Sequence, residues 1–214
     1  MDELVTAFKK LSLTAVSDAL DRCGLHGTCL GISPVVFGCQ TAGRAFTVKY
    51  HPISVEKGSV GDFIEDVPQG HVVVLDNAGR LDCTVWGDIL TLVAHRKGLA
   101  GTVIDGVCRD VKRSVESGYP IFSRGRFMRT GKDRVEAVGV NVPVEIGGVQ
   151  VRPGDMILGS DDGVLVVPQE KEAEVLSIAR SVEETEEKIR AEVLEGTPLK
   201  QARRKHGYHR LQRR

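Results

Sequence analysis

The sequence predicts an α/β protein, and three observations carry that prediction. Between residues 71 and 117, short apolar strands alternate with helical patterns, which is typical of a βαβ core. From Val135 to Pro168 the pattern changes to short β segments separated by turn residues. Residues 169–195 then have the composition and spacing of one long charged helix.

Two helices are predicted at the start of the chain, because apolar residues recur at roughly helical spacing over residues 2–24. Ser12 or Thr14 can cap the second helix, which we expect to span residues 15–22 and to end at Cys23-Gly24. The next predicted elements are a Gly- and Pro-rich loop over residues 24–43 and a strand over residues 45–50.

The central part of the chain is expected to contribute two strands and two helices. The apolar character of the second strand is typical of a strand covered on both faces. Its neighbouring helix is expected to bury Ile89, Leu90, Leu92 and Val93 and to stop at Gly98. In order, these elements are a strand over 71–76, a helix over 88–96, a strand over 101–105 and a helix over 110–117.

The later β segments are predicted to form an antiparallel meander that packs on the first half of the chain. Because no linker separates the two halves, we expect a single domain over residues 1–195. Residues 196–214 are predicted to be a basic tail that packs on a neighbouring subunit. The stretch 200–214 holds seven Lys or Arg residues and no acid.

Composition restricts the possible functions. The 214 residues are 41% hydrophobic and 27% charged, with zero formal net charge, which is ordinary for a globular domain. No apolar run approaches the ~20 residues that a membrane span needs, and the acidic N-terminus lacks a signal-peptide pattern, so we expect a cytoplasmic protein. The five cysteines include no C-x-x-C pair, which argues against a zinc site and favours reduced thiols.

The pair Gly87-Asp88 is the first candidate for chemistry. Asp88 lies where the chain turns into a helix, so it can act as the N-cap. The free amides of Ile89 and Leu90, together with the helix dipole, then favour an anion such as a substrate carboxylate. An ordinary helix cap is the alternative interpretation, and the pair alone favours it.

Arg109-Asp110 is the second candidate. It follows the strand 101–105 after a three-residue loop, a position where α/β proteins commonly carry catalytic side chains. Arg109 can hold a carboxylate through two parallel hydrogen bonds, and Asp110 can offer an oxygen to a hard cation such as Mg²⁺. A surface ion pair that starts a helix explains these two residues about equally well.

Taken together, these residues resemble the RraA-like family, and specifically its metal-dependent pyruvate aldolases, the 4-hydroxy-4-methyl-2-oxoglutarate/4-carboxy-4-hydroxy-2-oxoadipate aldolases. The motif that carries the resemblance is Gly87-Asp88, twenty residues, then Arg109-Asp110. The similarity extends over nearly the whole chain. Supporting stretches are Leu13 to Leu20, Gly43 to Val48, Val151 to Asp155 and Asp162 to Pro168.

The resemblance implies a layered αββα sandwich with a C-terminal helical extension, assembled as a homotrimer or homohexamer with active sites between subunits. It implies that Asp110 binds Mg²⁺ or Mn²⁺ and that Arg109 contacts the carbonyl region of the substrate. It also implies that Asp88 holds a metal-bound water and that the amides of Ile89 and Leu90, after Gly87, receive the pyruvyl carboxylate. Glu186 of an adjacent subunit matches the glutamate that supports the water shell.

The expected activity is therefore a retro-aldol cleavage of a 4-hydroxy-2-oxo acid to pyruvate and a carbonyl product, with oxaloacetate decarboxylation as a side activity. The alternative is a non-catalytic regulator that binds an RNA-degrading enzyme, as some relatives do. In those regulators the metal-binding aspartate is missing, whereas Asp110 is present, which favours the enzyme. General nucleic-acid binding is disfavoured by the zero net charge.

Overall fold

The computed structural model describes residues 2–53 and 59–208. The chain forms two compact units, one of them helical (Met1–Gly27 with Glu170–Arg214) and the other built around a sheet (Thr28–Gln169). The predicted α/β class is confirmed, with a large mixed sheet and a C-terminal helix. Among the described residues, no helix has both the length and the apolar character that a membrane crossing requires.

The described part of the helical unit forms four helices, which are α1 (Glu3–Phe8), α2 (Leu13–Cys23), α5 (Glu172–Leu194) and α6 (Leu199–Lys205). Ser12 caps α2 by accepting a hydrogen bond from the amide of Ala15, and its amide and hydroxyl donate to Glu183 of α5. Gly24 ends α2 in the left-handed conformation that glycine adopts easily. The Ser12 cap and the stop at Gly24 therefore agree with the sequence prediction, whereas the helix starts at Leu13, two residues earlier than predicted.

Part of the predicted basic tail is helical. Helix α6 buries Ala202 completely, and the side chains of Lys205 and His206, at its C-terminal end, both contact Glu192 of α5. Residues 209–214, the last part of the predicted tail, lie outside the described residues. The packing of the tail on a neighbouring subunit stays a prediction, as does the domain boundary after residue 195.

The described residues of the sheet unit form ten strands and two helices. The strands are β1 (Ser33–Pro34), β2 (Thr41–Pro52), β3 (Val72–Thr84), β4 (Gly101–Cys108), β5 (Ile121–Arg126), β6 (Val135–Val140), β7 (Val144–Ile146), β8 (Val149–Val151), β9 (Met156–Ser160) and β10 (Gly163–Val167). The helices are α3 (Asp88–Arg96) and α4 (Val111–Ser117). A 3-10 turn covers Asp62–Asp66.

The centre of the large sheet is parallel, in the order β5-β4-β3-β2, and antiparallel strands extend it on both sides. One face carries a core that includes Leu75, Trp86 and Ile104, and the other carries a core that includes Val74 and Val103, to which the β7–β8 hairpin contributes. Because β3 and β4 are parallel neighbours, the segments that follow them leave the sheet at the same edge.

The structure corrects the predicted ends of both central strands. Strand β3 continues to Thr84 rather than ending at Asp76, because the turn-like residues Ala78 and Gly79 adopt positive φ values of 52° and 67° inside an irregular bulge. Strand β4 continues to Cys108, so the predicted three-residue loop before Arg109 is part of the sheet. The pairing of the two strands resumes after the bulge, which local turn chemistry does not reveal.

The buried side of α3 also differs in part from the prediction. Ile89 and Leu92 are 74% and 57% exposed, whereas Leu90 and Val93 pack against the core as expected. Thr91, which carries a polar side chain, is buried in their place. The cause is a set of hydrogen bonds to the Thr91 hydroxyl, because a buried hydroxyl is tolerated where its bonding capacity is satisfied.

Candidate active site

The two candidate motifs meet at the edge where β3 and β4 leave the sheet. The backbone amide of Arg109 donates to the carbonyl of Trp86 at 3.1 Å, which joins the two strand exits directly. The amide of Asp88 donates to Oδ2 of Asp110 at 3.2 Å. Two motifs that are separated by twenty residues in the sequence therefore form one cluster, as the spacing predicted.

Gly87, rather than Asp88, is the N-cap of α3, which corrects the prediction for Asp88. Asp88 is the first helical residue, and its carboxylate lies 3.5 Å from Nε of Arg113. A Cβ atom on Gly87 would stand only 2.7 Å from Oδ2 of Asp110. The φ of −145° suits any residue, so backbone conformation is not the reason for a glycine at this position. Glycine is needed because the Asp110 carboxylate approaches the backbone closely.

Asp110 is held in an unusual conformation. Its φ of 57° and ψ of 34° are left-handed, a region that aspartate visits more readily than most residues and that is enriched at functional sites. Its side chain makes no capping bond to α4. Instead, Oδ2 accepts from the Asp88 amide and lies 3.3 Å from Nε of Arg109. The carboxylate is thus turned toward the start of α3.

The start of α3 has the free amides that the predicted anion site requires. Within residues 2–53 and 59–208, no hydrogen-bond acceptor is found for the amides of Ile89 and Leu90, as expected in the first turn of a helix. Both residues line a cavity of about 220 Å³. The other residues that line it are Val60, Gly61, Thr84, Val85, Trp86, Gly87, Asp88, Arg109, Thr130 and Lys132.

A second cavity, of about 300 Å³, is lined by Cys108, Arg109, Asp110, Val111, Arg126, Phe127 and Met128. Because Arg109 lines both cavities, its side chain lies between them. Burial raises the pKa of the Cys108 thiol, so this residue is protonated at neutral pH and is a poor nucleophile. Sequence analysis did not identify Arg126 or Lys132, because no motif marks either residue.

A buried hydrogen-bond network lies beneath the cluster, and no motif in the sequence predicts it. The indole Nε1 of Trp86 donates to the hydroxyl of Thr91 at 2.9 Å, and that hydroxyl donates to the carbonyl of Gly87 at 2.9 Å. The Ser114 hydroxyl of α4 lies 3.4 Å from the same oxygen. This network joins the first turn of α3 to α4, and so it fixes the cluster.

The donor set at Asp110 suits a hard cation. No group of three His, Cys, Asp or Glu side chains in the described part of the chain could enclose a metal ion. Mg²⁺ retains several waters and often uses one or two protein carboxylates, so a single oriented aspartate is a fitting protein ligand. The Asp110 side chain is 37% exposed, lines the larger cavity and has hard oxygen donors.

Glu186 belongs to the helical unit, on α5, where its carboxylate accepts a hydrogen bond from Arg190 at 2.8 Å. Its predicted contribution to the site of an adjacent subunit stays a prediction. The structure brings together the remaining predicted site residues at the sheet edge, namely Gly87, Asp88, Ile89, Leu90, Arg109 and Asp110.

The family model for RraA-like proteins, described as Aldolase/RraA, matches residues 13–166. Protein DlpA of Legionella pneumophila is 39% identical over 212 residues, which is 97% of this chain and 34% of DlpA, so the chain spans about a third of that relative. A Halalkalibacterium halodurans protein named "Putative 4-hydroxy-4-methyl-2-oxoglutarate aldolase" is 36% identical over 187 residues, with 86% of each chain covered.

Two solved structures are similar to this one. An uncharacterized protein from Pseudomonas syringae pv. tomato matches with a TM-score of 0.89 and 43% identity, covering 94% of this chain and 96% of the other. Streptomyces coelicolor RraAS2, described as an unusual member of the RNase ES inhibitor RraA protein family, matches with a TM-score of 0.79 and 31% identity. That match covers 87% of this chain and 95% of RraAS2.

Proposed function

The chain belongs to the RraA-like family, and on that premise we propose that it is a divalent-metal-dependent lyase. It cleaves a 4-hydroxy-2-oxo acid to pyruvate and a carbonyl product by retro-aldol chemistry, with oxaloacetate decarboxylation as a side activity. One observation carries the proposal. The Asp110 carboxylate does not cap its own helix but is held between the Asp88 amide and Arg109, beside an open helix start.

Asp110 would hold Mg²⁺ or Mn²⁺, with water and substrate oxygens as the other ligands. When bound, the cation supplies Lewis-acid stabilisation of negative charge on the 2-oxo group. The contacts to Oδ2 leave Oδ1 of Asp110 available, because both the Asp88 amide and Arg109 approach Oδ2. Gly87 permits this orientation of the carboxylate, since any Cβ there would collide with it.

The chain's own residues bind and orient the substrate. The amides of Ile89 and Leu90 donate to the pyruvyl carboxylate, where the α3 dipole adds to the attraction. Arg109 donates to the 2-oxo oxygen, on which negative charge develops as the C–C bond breaks. A fixed donor aimed at developing charge is one of the largest contributions an enzyme makes to rate.

Asp88 acts as the general acid and base in the proposed mechanism. Asp88 lines the same cavity, where its carboxylate can exchange a proton with the substrate through water. In the proposed homotrimer or homohexamer, Glu186 of a neighbouring subunit assists it. Proton transfer then takes place at the 4-hydroxyl during cleavage and at C3 when pyruvate forms.

The alternative function is that of a non-catalytic regulator of an RNA-degrading enzyme, and the similarity to RraAS2 keeps it in consideration. The geometry favours the lyase, because a regulator has no need for an aspartate in a left-handed conformation that presents its carboxylate to a cavity. The proposed location of the enzyme is the cytoplasm, with 2-oxo acids as its small-molecule substrates.

The test is pyruvate release, coupled to lactate dehydrogenase, from 4-hydroxy-4-methyl-2-oxoglutarate and from oxaloacetate. We expect activity with Mg²⁺ or Mn²⁺, loss of activity in EDTA, and a fall of at least about 100-fold in Asp110→Ala. Lys112→Ala is the matched control, because Lys112 is an exposed residue two positions away that pairs with Glu116. Pyruvate release that persists undiminished in EDTA, and equally in Asp110→Ala, would refute the metal-dependent lyase.

A further inference from the structure

Arg126 is a cation of the candidate site for which the structure provides no counter-ion. Arg109 pairs with Asp110, Arg113 with Asp88 and Arg124 with Asp105. Throughout residues 2–53 and 59–208, no carboxylate lies within salt-bridge distance of Arg126. Its NH2 group donates to the carbonyl of Val35 at 2.7 Å, so the side chain is anchored while its other N–H groups stay available.

The fold places Arg126 next to the reacting centre. It is the last residue of β5, and its Cα is the partner of Cys108, the last residue of β4. The following amide, that of Phe127, donates to the carbonyl of Cys108 at 3.0 Å. Neighbouring strands lie ~4.8 Å apart, so Arg126 is a short distance from Arg109 and Asp110, with which it lines the 300 Å³ cavity.

In the proposed function, the two cavities accommodate different halves of the substrate. In the proposed function, the pyruvyl carboxylate occupies the smaller cavity at the start of α3. Because Arg109 lines both cavities, a substrate whose 2-oxo group contacts Arg109 can continue into the larger one. That cavity is lined by the cationic residue Arg126 together with the apolar residues Phe127 and Met128. It suits a short carbon chain that ends in an anion.

We propose that Arg126 determines specificity by binding a second carboxylate on the distal half of the substrate. This inference rests on the proposed function, and it assigns to one residue the preference for 2-oxo diacids over monoacids. A guanidinium can hold a carboxylate through two parallel hydrogen bonds. The bond to Val35 limits the motion of Arg126, and so it reduces the ordering cost of binding.

The first experiment measures binding without turnover. Titration calorimetry in Mg²⁺ compares 2-oxoglutarate with 2-oxopentanoate, which has the same pyruvyl end and length but no second carboxylate. We expect Arg126→Gln to weaken 2-oxoglutarate binding about 10- to 100-fold, as for the loss of a charge-assisted hydrogen bond, and to leave 2-oxopentanoate unchanged. Unchanged 2-oxopentanoate binding shows that Arg126→Gln keeps the site folded, and Lys112→Ala is the surface-charge control.

The second experiment measures KM and kcat for 4-hydroxy-4-methyl-2-oxoglutarate and for the monoacid 4-hydroxy-2-oxopentanoate. Arg126→Gln should raise KM for the diacid alone, and Arg126→Lys should restore part of the loss. Selective loss of 2-oxoglutarate binding without any pyruvate release would support Arg126 and refute the lyase. If wild type and Arg126→Gln release pyruvate with the same ratio of kcat/KM for the diacid to kcat/KM for the monoacid, the role of Arg126 is refuted. Failure of the wild type to bind either 2-oxoglutarate or 2-oxopentanoate would also refute it.

Discussion

Replacing Gly87 with alanine should damage catalysis without unfolding the protein. The new Cβ would lie 2.7 Å from Oδ2 of Asp110 and 3.3 Å from Nε of Arg109. The backbone φ of −145° and ψ of −166° are accessible to alanine, so the substitution strains no dihedral angle. The collision falls on the two groups to which we assign metal binding and charge stabilisation.

The magnitude follows from the distances. An ordinary Cβ contact is about 3.4 Å or longer, so the Asp110 carboxylate must retreat by about 0.7 Å. The retreat also breaks the hydrogen bond of 3.2 Å from the Asp88 amide. Because a misplacement of about 1 Å can cost 100-fold in rate, we expect kcat/KM for pyruvate release to fall by about two orders of magnitude.

The assay pairs initial rates with thermal unfolding. Gly125→Ala is the matched control, because a Cβ at Gly125 would contact only Val107, at 3.9 Å. We expect wild-type rates for Gly125→Ala, and melting temperatures of both variants within about 4 °C of wild type. If Gly87→Ala kept its rate at an unchanged melting temperature, the position of the Asp110 carboxylate would be irrelevant to the reaction. That result would refute the reasoning.

Three further outcomes are expected. Thr91→Val should destabilise the protein by about 1–3 kcal/mol in chemical denaturation, because the buried indole N–H of Trp86 loses its acceptor. Thr91→Ser should restore stability. Equal stability of wild type and both variants would contradict the proposed hydrogen-bond network. Burial, together with the charge of nearby Asp105, raises the pKa of Cys29 to about 12. Iodoacetamide at pH 8 should therefore leave Cys29 unmodified until the protein unfolds. Rapid modification of Cys29 in the folded protein would contradict this prediction. Hydrogen bonds from Lys205 and His206 lower the pKa of Glu192. The contribution of Glu192 to the packing of α6 is therefore present above its ordinary pKa of 4.5 and is lost as the pH falls below that value. Amide hydrogen exchange in α6 should rise at low pH in wild type, and Glu192→Gln should show little such change.

The sequence predicted the parts of the site that local chemistry determines. Helix α3 begins at Asp88 and ends at Arg96 as expected, and the twenty-residue spacing does bring Asp88 and Arg109 to one edge of the sheet. Parallel neighbours leave a sheet on the same side, so the order of the elements was sufficient to predict this meeting.

The features that the sequence did not predict depend on long-range contacts. Residues Asn77 to Gly79 have the composition of a turn, yet pairing with β4 on both sides of them keeps β3 continuous. Thr91 is polar, so apolar periodicity placed it outside the core, and only its bonds to Trp86 and Gly87 explain its burial. Arg126 belongs to no motif, and its potential role follows from the cavity and from its lack of a counter-ion in the described chain.

The central claim is that Asp110 holds the divalent cation of a pyruvate-releasing lyase. The most direct measurement is titration with Mn²⁺ by electron paramagnetic resonance, in the presence of pyruvate, for wild type and Asp110→Asn. We predict one Mn²⁺ site per chain in wild type and at least about 10-fold weaker binding in the variant, because it removes the only charged ligand that we assign. Equal Mn²⁺ binding by the two proteins would contradict the claim.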